Sequence, residues 1–218
     1  MAPALSLRKR AALVARVLKK FFPAPPIPLH HSDAFTLFVA VVLSARCTDK
    51  LVNTVTPALF KRVPDARALS KISYAELCRL IKKCGLYPTK ARNLIAAARI
   101  MVELHDGGVP RTRGELEALP GVGQKTAGVV LSQAFGEPAI PVDTHIFRSA
   151  RRWGLSKAVT PEKVEADLRG LFPRKEWTNL HLRMLHYARG YCTARGCSGP
   201  RGIGKGNVCP LCRRLEKI

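Results

Sequence analysis

A lysine and an aspartate stand one helix length apart in the sequence, beside a turn that contains two glycines. The turn runs from Leu119 to Gly123 in LPGVGQKTA, Lys125 follows it, and Asp143 comes later in VDTH. Gly121 and its neighbour Gly123 allow backbone N–H groups to approach an anion closely, and a helix that starts here adds the positive end of its dipole. The pattern predicts a phosphate-binding turn with an amine and a carboxylate beside it.

Lys125 is a candidate nucleophile. It lies about 160° around the predicted helix from the apolar stripe, at about 100° per residue, so its side chain should project away from the core. The positive helix end and neighbouring cations disfavour an ammonium at this place, which makes the neutral, nucleophilic amine accessible. The alternative is a lysine that stays charged and contacts phosphate.

Asp143 has two interpretations. An aspartate directly before the helix predicted from Thr144 to Trp153 is a normal N-cap. Position 146 is isoleucine, however, so no capping box completes that explanation. A carboxylate opposite an amine could instead assist the departure of a base, stabilise a cationic sugar or move a proton. We favour the catalytic interpretation because Lys125 accompanies it.

The rest of the chain predicts helices. Apolar residues recur at helical spacing, and strand-like alternation is nearly absent. Capping residues at Ser73, Thr112 and Thr160 mark three helix starts. The pattern predicts about ten short helices, with breaks at residues 23–28, 105–110, 136–141 and 154.

Around the glycine turn the pattern predicts a helix-hairpin-helix. The first helix would run from Glu115 to Ala118 and the second from Gln124 to Phe135, with the hairpin between them. Such a hairpin also occurs as a DNA-backbone clamp in proteins that do no chemistry. The hairpin residues expected to contact DNA are Leu119, Gly121, Val122, Gly123 and Gln124.

The charge of the chain predicts its partner. The 218 residues include 37 lysines and arginines against 15 aspartates and glutamates, a formal charge of +22. Such an excess favours a nucleic acid over an anionic membrane surface. No run of about 18 apolar residues could span a bilayer, and the apolar segment 11–18 is interrupted by Arg16 and lacks a small-residue cleavage site. We expect a cytoplasmic, nucleoid-associated protein without membrane contact, with an organellar address at the arginine-rich start as the alternative.

Four cysteines near the end of the chain predict a metal site. Their spacing is C-x4-C-x11-C-x2-C, and clustered thiols in an intracellular chain favour a metal over disulfides. Spacing alone does not choose between zinc and a [4Fe-4S] cluster. The predicted ligands are Cys192, Cys197, Cys209 and Cys212. The other three cysteines are dispersed and are predicted to be ordinary packed thiols: Cys47, Cys78 and Cys84.

Taken together, these motifs resemble the endonuclease III family, the helix-hairpin-helix DNA glycosylases that remove oxidised pyrimidines and then cut the abasic strand. The resemblance runs through LFVAVVLSAR at 37–46, CTD directly after it, GLY at 85–87, LPGVGQKTA, VDTHIFR and the C-terminal cysteines. It implies an all-α, two-lobed fold with DNA lying across the cleft. Residues 27–137 would form a six-helix module with the hairpin, and residues 1–26 and 138–218 a second lobe with the metal site.

The resemblance also implies residue roles. Lys125 matches the lysine that attacks the deoxyribose C1′ and forms a Schiff base, after which β-elimination breaks the strand. Asp143 matches the essential aspartate. Since the enzyme must flip the target nucleotide out of the duplex, Leu86 matches a wedge residue that fills the gap. Arg46 stands where the family usually has a glutamine, and it adds charge and reach to the wedge.

The metal site departs from the family pattern. The family usually spaces its cysteines C-x6-C-x2-C-x5-C around a [4Fe-4S] cluster, whereas here the long loop lies between the second and third ligands. A loop with four glycines can double back so that the thiolates converge. We therefore expect a [4Fe-4S] cluster, with zinc as the alternative.

The resemblance thus implies a monomeric base-excision repair enzyme, a bifunctional glycosylase and lyase that acts on damaged double-stranded DNA. One alternative is another lesion specificity in the same superfamily, such as adenine excision opposite oxidised guanine, although monofunctional adenine glycosylases usually lack the hairpin lysine. The other alternative is a DNA-damage-binding protein without catalytic activity.

Overall fold

The structure, a computed structural model, describes residues 3–197 and 207–217, with side chains from Leu7 onward. The described residues contain helices and no strand, which confirms the all-α prediction. None of these helices is long and apolar enough to cross a bilayer. In chain order they are α1 (Pro3–Phe21), α2 (Ala34–Ser44), α3 (Asp49–Arg62), α4 (Ala66–Lys71), α5 (Tyr74–Ile81), α6 (Tyr87–Leu104), α7 (Arg113–Glu117), α8 (Gln124–Ala134), α9 (Thr144–Arg152), α10 (Pro161–Leu171), a 3₁₀ turn (Arg174–Glu176), α11 (Trp177–Gly190) and α12 (Pro210–Leu215).

Helix starts lie where the capping residues predict them. Ser73 Oγ accepts a hydrogen bond from the Glu76 N–H at the start of α5, and Thr112 caps α7 in the same way. Thr160 caps α10, whose first residue is a proline. The boundaries of α7, α8 and α9 differ from the predicted ones by one or two residues. The helices α4 and α12 have 6 residues each, which is too short for an apolar stripe to be recognised.

The chain divides into two compact units. We name the unit Ile27–Glu137, which contains the seven helices α2 to α8, the hairpin unit. Its central helix is α2, which is buried from Phe35 to Leu43 and contacts α3, α6 and α8. A helix that is apolar on all sides is stable only inside a core. The helix α2 therefore provides the buried surface against which α8 lies.

The cysteine unit consists of Met1–Pro26 and Pro138–Ile218. Within it, α1 contacts α11 and α12, while α9 contacts α10 and α11. Trp153 and Tyr187 lie fully buried in the core, with ring centroids 5.9 Å apart in an edge-to-face arrangement. The buried Arg183 of α11 donates hydrogen bonds to the carbonyl oxygens of Phe22 at 2.9 Å and Pro23 at 3.0 Å. These bonds tie the end of α1 to α11.

Candidate active site and metal centre

The hairpin joins α7 to α8 inside the hairpin unit. The Val122 N–H donates to the Leu119 carbonyl oxygen at 3.1 Å and closes the turn. Gly121 has a φ of 81°, a conformation that glycine adopts without strain. Leu119 and Val122 are only 2% and 7% exposed. Their side chains therefore anchor the turn in the core, and only their backbone could contact a phosphate.

The two glycines of the hairpin have different surroundings. A Cβ at Gly121 would lie 2.6 Å from Nδ2 of Asn93 in α6, whereas a Cβ at Gly123 would meet no atom within 4 Å. Gly123 is the N-cap of α8 and has no side chain that could cap the helix. The first N–H groups of α8, which have no intrahelical acceptor, therefore lie at the hairpin together with the positive end of the helix dipole. This arrangement suits an anion.

Lys125 lies in the first turn of α8, and its side chain is exposed, as its helical phase predicted. Gln124 is exposed beside it, while Ala127 on the opposite side is completely buried. The amine thus belongs to the same helical turn as the N–H groups at the hairpin.

Two predicted wedge residues have strained backbones. Among the described residues, three other than glycine have positive φ, and two of them are Arg46 at 55° and Leu86 at 60°. Arg46 follows α2, and Leu86 precedes α6. Leu86 is also 56% exposed although it is a large apolar residue. A backbone of this kind costs of order 1–3 kcal/mol and persists only where the surrounding structure enforces it.

A buried lysine holds one of these loops in place. Lys90 of α6 is only 5% exposed. Its ammonium donates to the carbonyl oxygens of Leu43 at 2.8 Å and Ala45 at 2.7 Å, and contacts Cys47 Sγ at 3.4 Å. The Gly85 N–H donates to the same sulfur at 3.2 Å. We name the pair of Lys90 and Cys47 the loop clip.

The loop clip connects the segment around Arg46 to the segment around Leu86, and the sequence analysis missed it. One signal was present: Lys90 stands four residues before Leu94, on the apolar face of α6. Cys47 was predicted to be a packed thiol, but its sulfur accepts hydrogen bonds from the Gly85 N–H beside Leu86 and from the Lys90 side chain. Cys84 is buried, as predicted for a packed thiol, and this burial raises the pKa of the thiol to about 11.

Asp143 lies in the cysteine unit as the N-cap of α9. Its Oδ1 accepts hydrogen bonds from the N–H groups of His145 at 2.9 Å and Ile146 at 2.8 Å. The side chain is half-buried. The capping interpretation is therefore confirmed, and the catalytic role stays a prediction.

The four C-terminal cysteines lie together in the cysteine unit. All are buried, and their sulfur atoms all lie within 4.8 Å of one another. Hydrogen bonding with the Cys209 and Cys212 thiols holds the pKa of the Cys192 thiol far below its usual range, and the Arg152 guanidinium acts in the same direction. Four buried sulfur ligands suit a thiophilic metal. The predicted metal site is therefore present as a ligand set.

The sulfur positions can be compared with those that the two expected centres require. Three sulfur pairs are separated by 3.7, 3.8 and 3.9 Å. Four sulfurs around one zinc ion, with bonds of about 2.3 Å, lie about 3.8 Å apart. A [4Fe-4S] cluster binds each thiolate through a different iron, so its four thiolates must lie farther apart. The three measured separations are closer to those around a single ion than to those around the cluster.

Comparison with known proteins shows the superfamily to which the chain belongs. Residues 39–174 match the family described as "HhH-GPD superfamily base excision DNA repair protein", which is more than half of the chain. The chain therefore belongs to this superfamily of DNA repair proteins.

Similar relatives show the family within this superfamily. Endonuclease III of Synechocystis is 44% identical over 87% of both chains, and Endonuclease III of Escherichia coli K12 is 40% identical over 96% of this chain and 97% of its own. A non-covalent Endonuclease III–DNA complex has a TM-score of 0.87 at 38% identity, with 96% of this chain and 97% of that chain covered. A trapped Endonuclease III–DNA covalent intermediate has a TM-score of 0.86 at 36% identity, with 96% and 98% covered. Within the superfamily, the chain is thus a member of the endonuclease III family.

Proposed function

We propose that the protein excises oxidised pyrimidines from duplex DNA and cleaves the resulting abasic strand, with Lys125 as the nucleophile. One observation carries this proposal: an exposed lysine lies in the first turn of α8, directly after a hairpin that suits phosphate. Family membership supplies the substrate class. A relative has been solved as a trapped covalent intermediate with DNA, and such an intermediate requires a nucleophile on the protein.

The reaction proceeds in two stages. The neutral Lys125 amine attacks C1′, the bond from C1′ to the damaged base breaks, and the departing base takes up a proton. Opening of the sugar ring at O4′ then gives a Schiff base between Nζ and C1′. Loss of a C2′ proton expels the 3′ phosphate and breaks the strand, and water finally releases the lysine from the imine. No oxidant or reductant is consumed.

Asp143 is proposed to stabilise the cationic sugar and to assist proton transfer while it caps α9. The two N–H groups of His145 and Ile146 fix the orientation of its carboxylate. A carboxylate that is oriented in advance can stabilise developing positive charge without reorganisation. The capping and catalytic roles are therefore compatible.

Arg46 and Leu86 are proposed to fill the gap that the flipped nucleotide leaves. The exposure of Leu86 and the positive φ of both residues support this role, because strained conformations cluster at functional sites. Leucine would replace base stacking with apolar contact. The Arg46 guanidinium would donate hydrogen bonds to the orphaned base.

The four cysteines are proposed to hold a resident metal centre that joins α11 to α12. The family resemblance implies a [4Fe-4S] cluster, and the cysteine spacing leaves zinc as the alternative. Either centre would supply a structural cross-link and takes no part in bond breaking. The proposed partner is damaged double-stranded DNA, bound by a monomer at the nucleoid in the cytoplasm.

Borohydride trapping tests the nucleophile. A duplex that carries an oxidised pyrimidine is incubated with the protein and borohydride, and the covalent adduct is measured on a denaturing gel. We expect an adduct with the unaltered chain and with Lys61→Ala, an exposed lysine of α3, and none with Lys125→Ala.

Other outcomes would overturn parts of the proposal. Undiminished trapping in Lys125→Ala would show that another residue is the nucleophile. Trapping only with a different lesion would change the substrate class. Tight binding to an abasic-site analogue, with neither trapping nor cleavage of natural abasic DNA, would identify a damage-binding protein without activity.

A further inference from the structure

We infer that the four C-terminal cysteines bind one zinc ion in place of a [4Fe-4S] cluster. Two of them lie on the chain that follows α11, and two lie at the start of α12. The separations of 3.7 to 3.9 Å among the sulfurs of Cys192, Cys197 and Cys212 match the edges of a tetrahedron of sulfurs around one zinc, about 3.8 Å. The Cys209 sulfur lies within 4.8 Å of the other three. Three ligands therefore already lie at the separations that a single ion requires, and the fourth needs only a small movement to join them.

The described backbone holds the two cysteine pairs at this separation. The Cys192 N–H donates to the Tyr187 carbonyl oxygen at 2.9 Å. The Leu211 N–H, between the other two cysteines, donates to the Tyr187 hydroxyl at 2.9 Å. One buried residue thus positions both pairs. Entry of an eight-atom cluster would require the sulfur atoms to move apart.

The ligand-bearing turn after α11 is also fixed. The Gly196 N–H donates to Thr193 Oγ1 at 2.9 Å within this turn. Arg152 of α9 donates to the Thr193 carbonyl oxygen at 2.7 Å and contacts Cys192 Sγ at 3.5 Å. A zinc ion with four thiolates carries a net charge of −2, and a guanidinium in contact with one sulfur offsets part of it.

The altered cysteine spacing agrees with this inference. The last pair has the C-x2-C spacing that structural zinc sites use, and it lies in the first turn of a helix. Because zinc has no redox chemistry, the metal ion itself could not transfer electrons. Its function would be to cross-link the end of α11 to α12.

Metal analysis of the full chain tests the inference. The protein is produced in cells supplied with both iron and zinc and is purified without oxygen or chelators. We expect one zinc per chain by mass spectrometry, no acid-labile sulfide and no visible absorption. Exchange with Co²⁺ should produce the absorption bands of tetrahedral thiolate coordination. Iron and sulfide in equal amounts with visible absorption, or a chain that binds no metal, would each overturn the inference.

Variants and reconstitution exclude an artefact of production. Cys209→Ser should lower the zinc content at least several-fold and lower the Tm, whereas Cys78→Ser, a half-buried thiol of α5, should leave both unchanged. Metal-free protein is then offered zinc or, separately, ferrous iron with sulfide under anaerobic conditions. Recovery of the native Tm only with iron and sulfide would overturn the zinc assignment. Because these measurements do not depend on activity, they stand apart from any failure of the proposed function.

Discussion

The two hairpin glycines look equivalent in the sequence, but only Gly121 is constrained in the structure. It has positive φ, and a Cβ would meet the Asn93 side chain at 2.6 Å. We expect Gly121→Ala to lower the free energy of unfolding by about 2–3 kcal/mol, from left-handed strain of about 1–2 kcal/mol and from the clash. Urea unfolding monitored by circular dichroism measures this change.

Two further variants separate the effect of the backbone strain from the effect of the clash with Asn93. Gly123→Ala adds a Cβ in open space, so it should cost less than about 1 kcal/mol, as a weaker N-cap. Adding Asn93→Ala to Gly121→Ala should remove the contacts with Nδ2 at 2.6 Å and Cγ at 3.2 Å, and it should leave the contact with Cβ at 3.1 Å and the backbone strain. Equal effects of Gly121→Ala and Gly123→Ala would contradict this account.

The loop clip gives a second prediction for a single residue. Lys90→Met keeps the apolar stem but removes the ammonium from two carbonyl oxygens and the Cys47 sulfur. Leaving buried acceptors without donors should cost about 1–3 kcal/mol. Binding to duplexes with an abasic-site analogue should weaken as well, because the segments around Arg46 and Leu86 are no longer joined.

An exposed lysine provides the control for this prediction. Lys50→Met in α3 removes the same charge from the surface and should change the free energy of unfolding by less than about 0.5 kcal/mol. Stability and abasic-site binding that change equally in the two variants would show that Lys90 acts only through its charge.

Some features of single residues could be predicted from the sequence, and others could not. The exposure of Lys125 and the capping by Asp143 follow from helical phase and from local hydrogen bonds, both of which depend on a few neighbouring residues. The contact of Lys90 with Cys47 joins residues 43 positions apart. Rules that use only neighbouring residues do not predict a contact over this distance. The sequence therefore indicated only that Lys90 lies on the apolar face of its helix.

At the scale of elements, substitutions of Asp143 at the start of α9 can separate its helix-capping role from its proposed catalytic role. Asparagine caps helices about as well as aspartate, so Asp143→Asn should keep the free energy of unfolding within about 0.5 kcal/mol. Asp143→Ala should lose about 1 kcal/mol because the N–H groups of His145 and Ile146 lose their acceptor. Chemical denaturation of both variants measures the difference.

Activity separates the roles further. Since both substitutions remove the negative charge, both should reduce the single-turnover rate of base release by a similar factor, of order 10² or more. Normal base release by Asp143→Asn would mean that the residue serves only as a cap.

Helix boundaries were the most predictable elements, because caps and breakers act within a few residues. The starts of α5, α7 and α10 follow from single capping side chains.

The sequence predicted the four cysteine ligands of the metal centre, but it did not predict whether they bind one ion or a cluster. The distances between sulfurs depend on how Tyr187 holds α11 against α12, which spacing along the chain does not encode.

The whole molecule carries a charge of +22. From this total charge we predict how strongly DNA binding depends on salt. Binding to undamaged duplex should weaken steeply with salt because each neutralised phosphate releases counterions. With about six to ten phosphate contacts, affinity should fall by about 10³ to 10⁵ between about 50 and 200 mM salt. Fluorescence anisotropy of a labelled duplex at several salt concentrations gives the slope of log K against log salt.

The same titration distinguishes the bulk charge from the proposed nucleophile. Lys125→Ala removes at most one phosphate contact, so it should reduce the magnitude of the slope by no more than about one while it abolishes borohydride trapping. The salt slope and the trapping are independent measurements, because the slope reflects many cations and the trapping reflects only the Lys125 amine. A shallow slope in the unaltered chain would mean that most of the positive charge lies away from the DNA, and the hairpin and wedge would then have to supply the affinity.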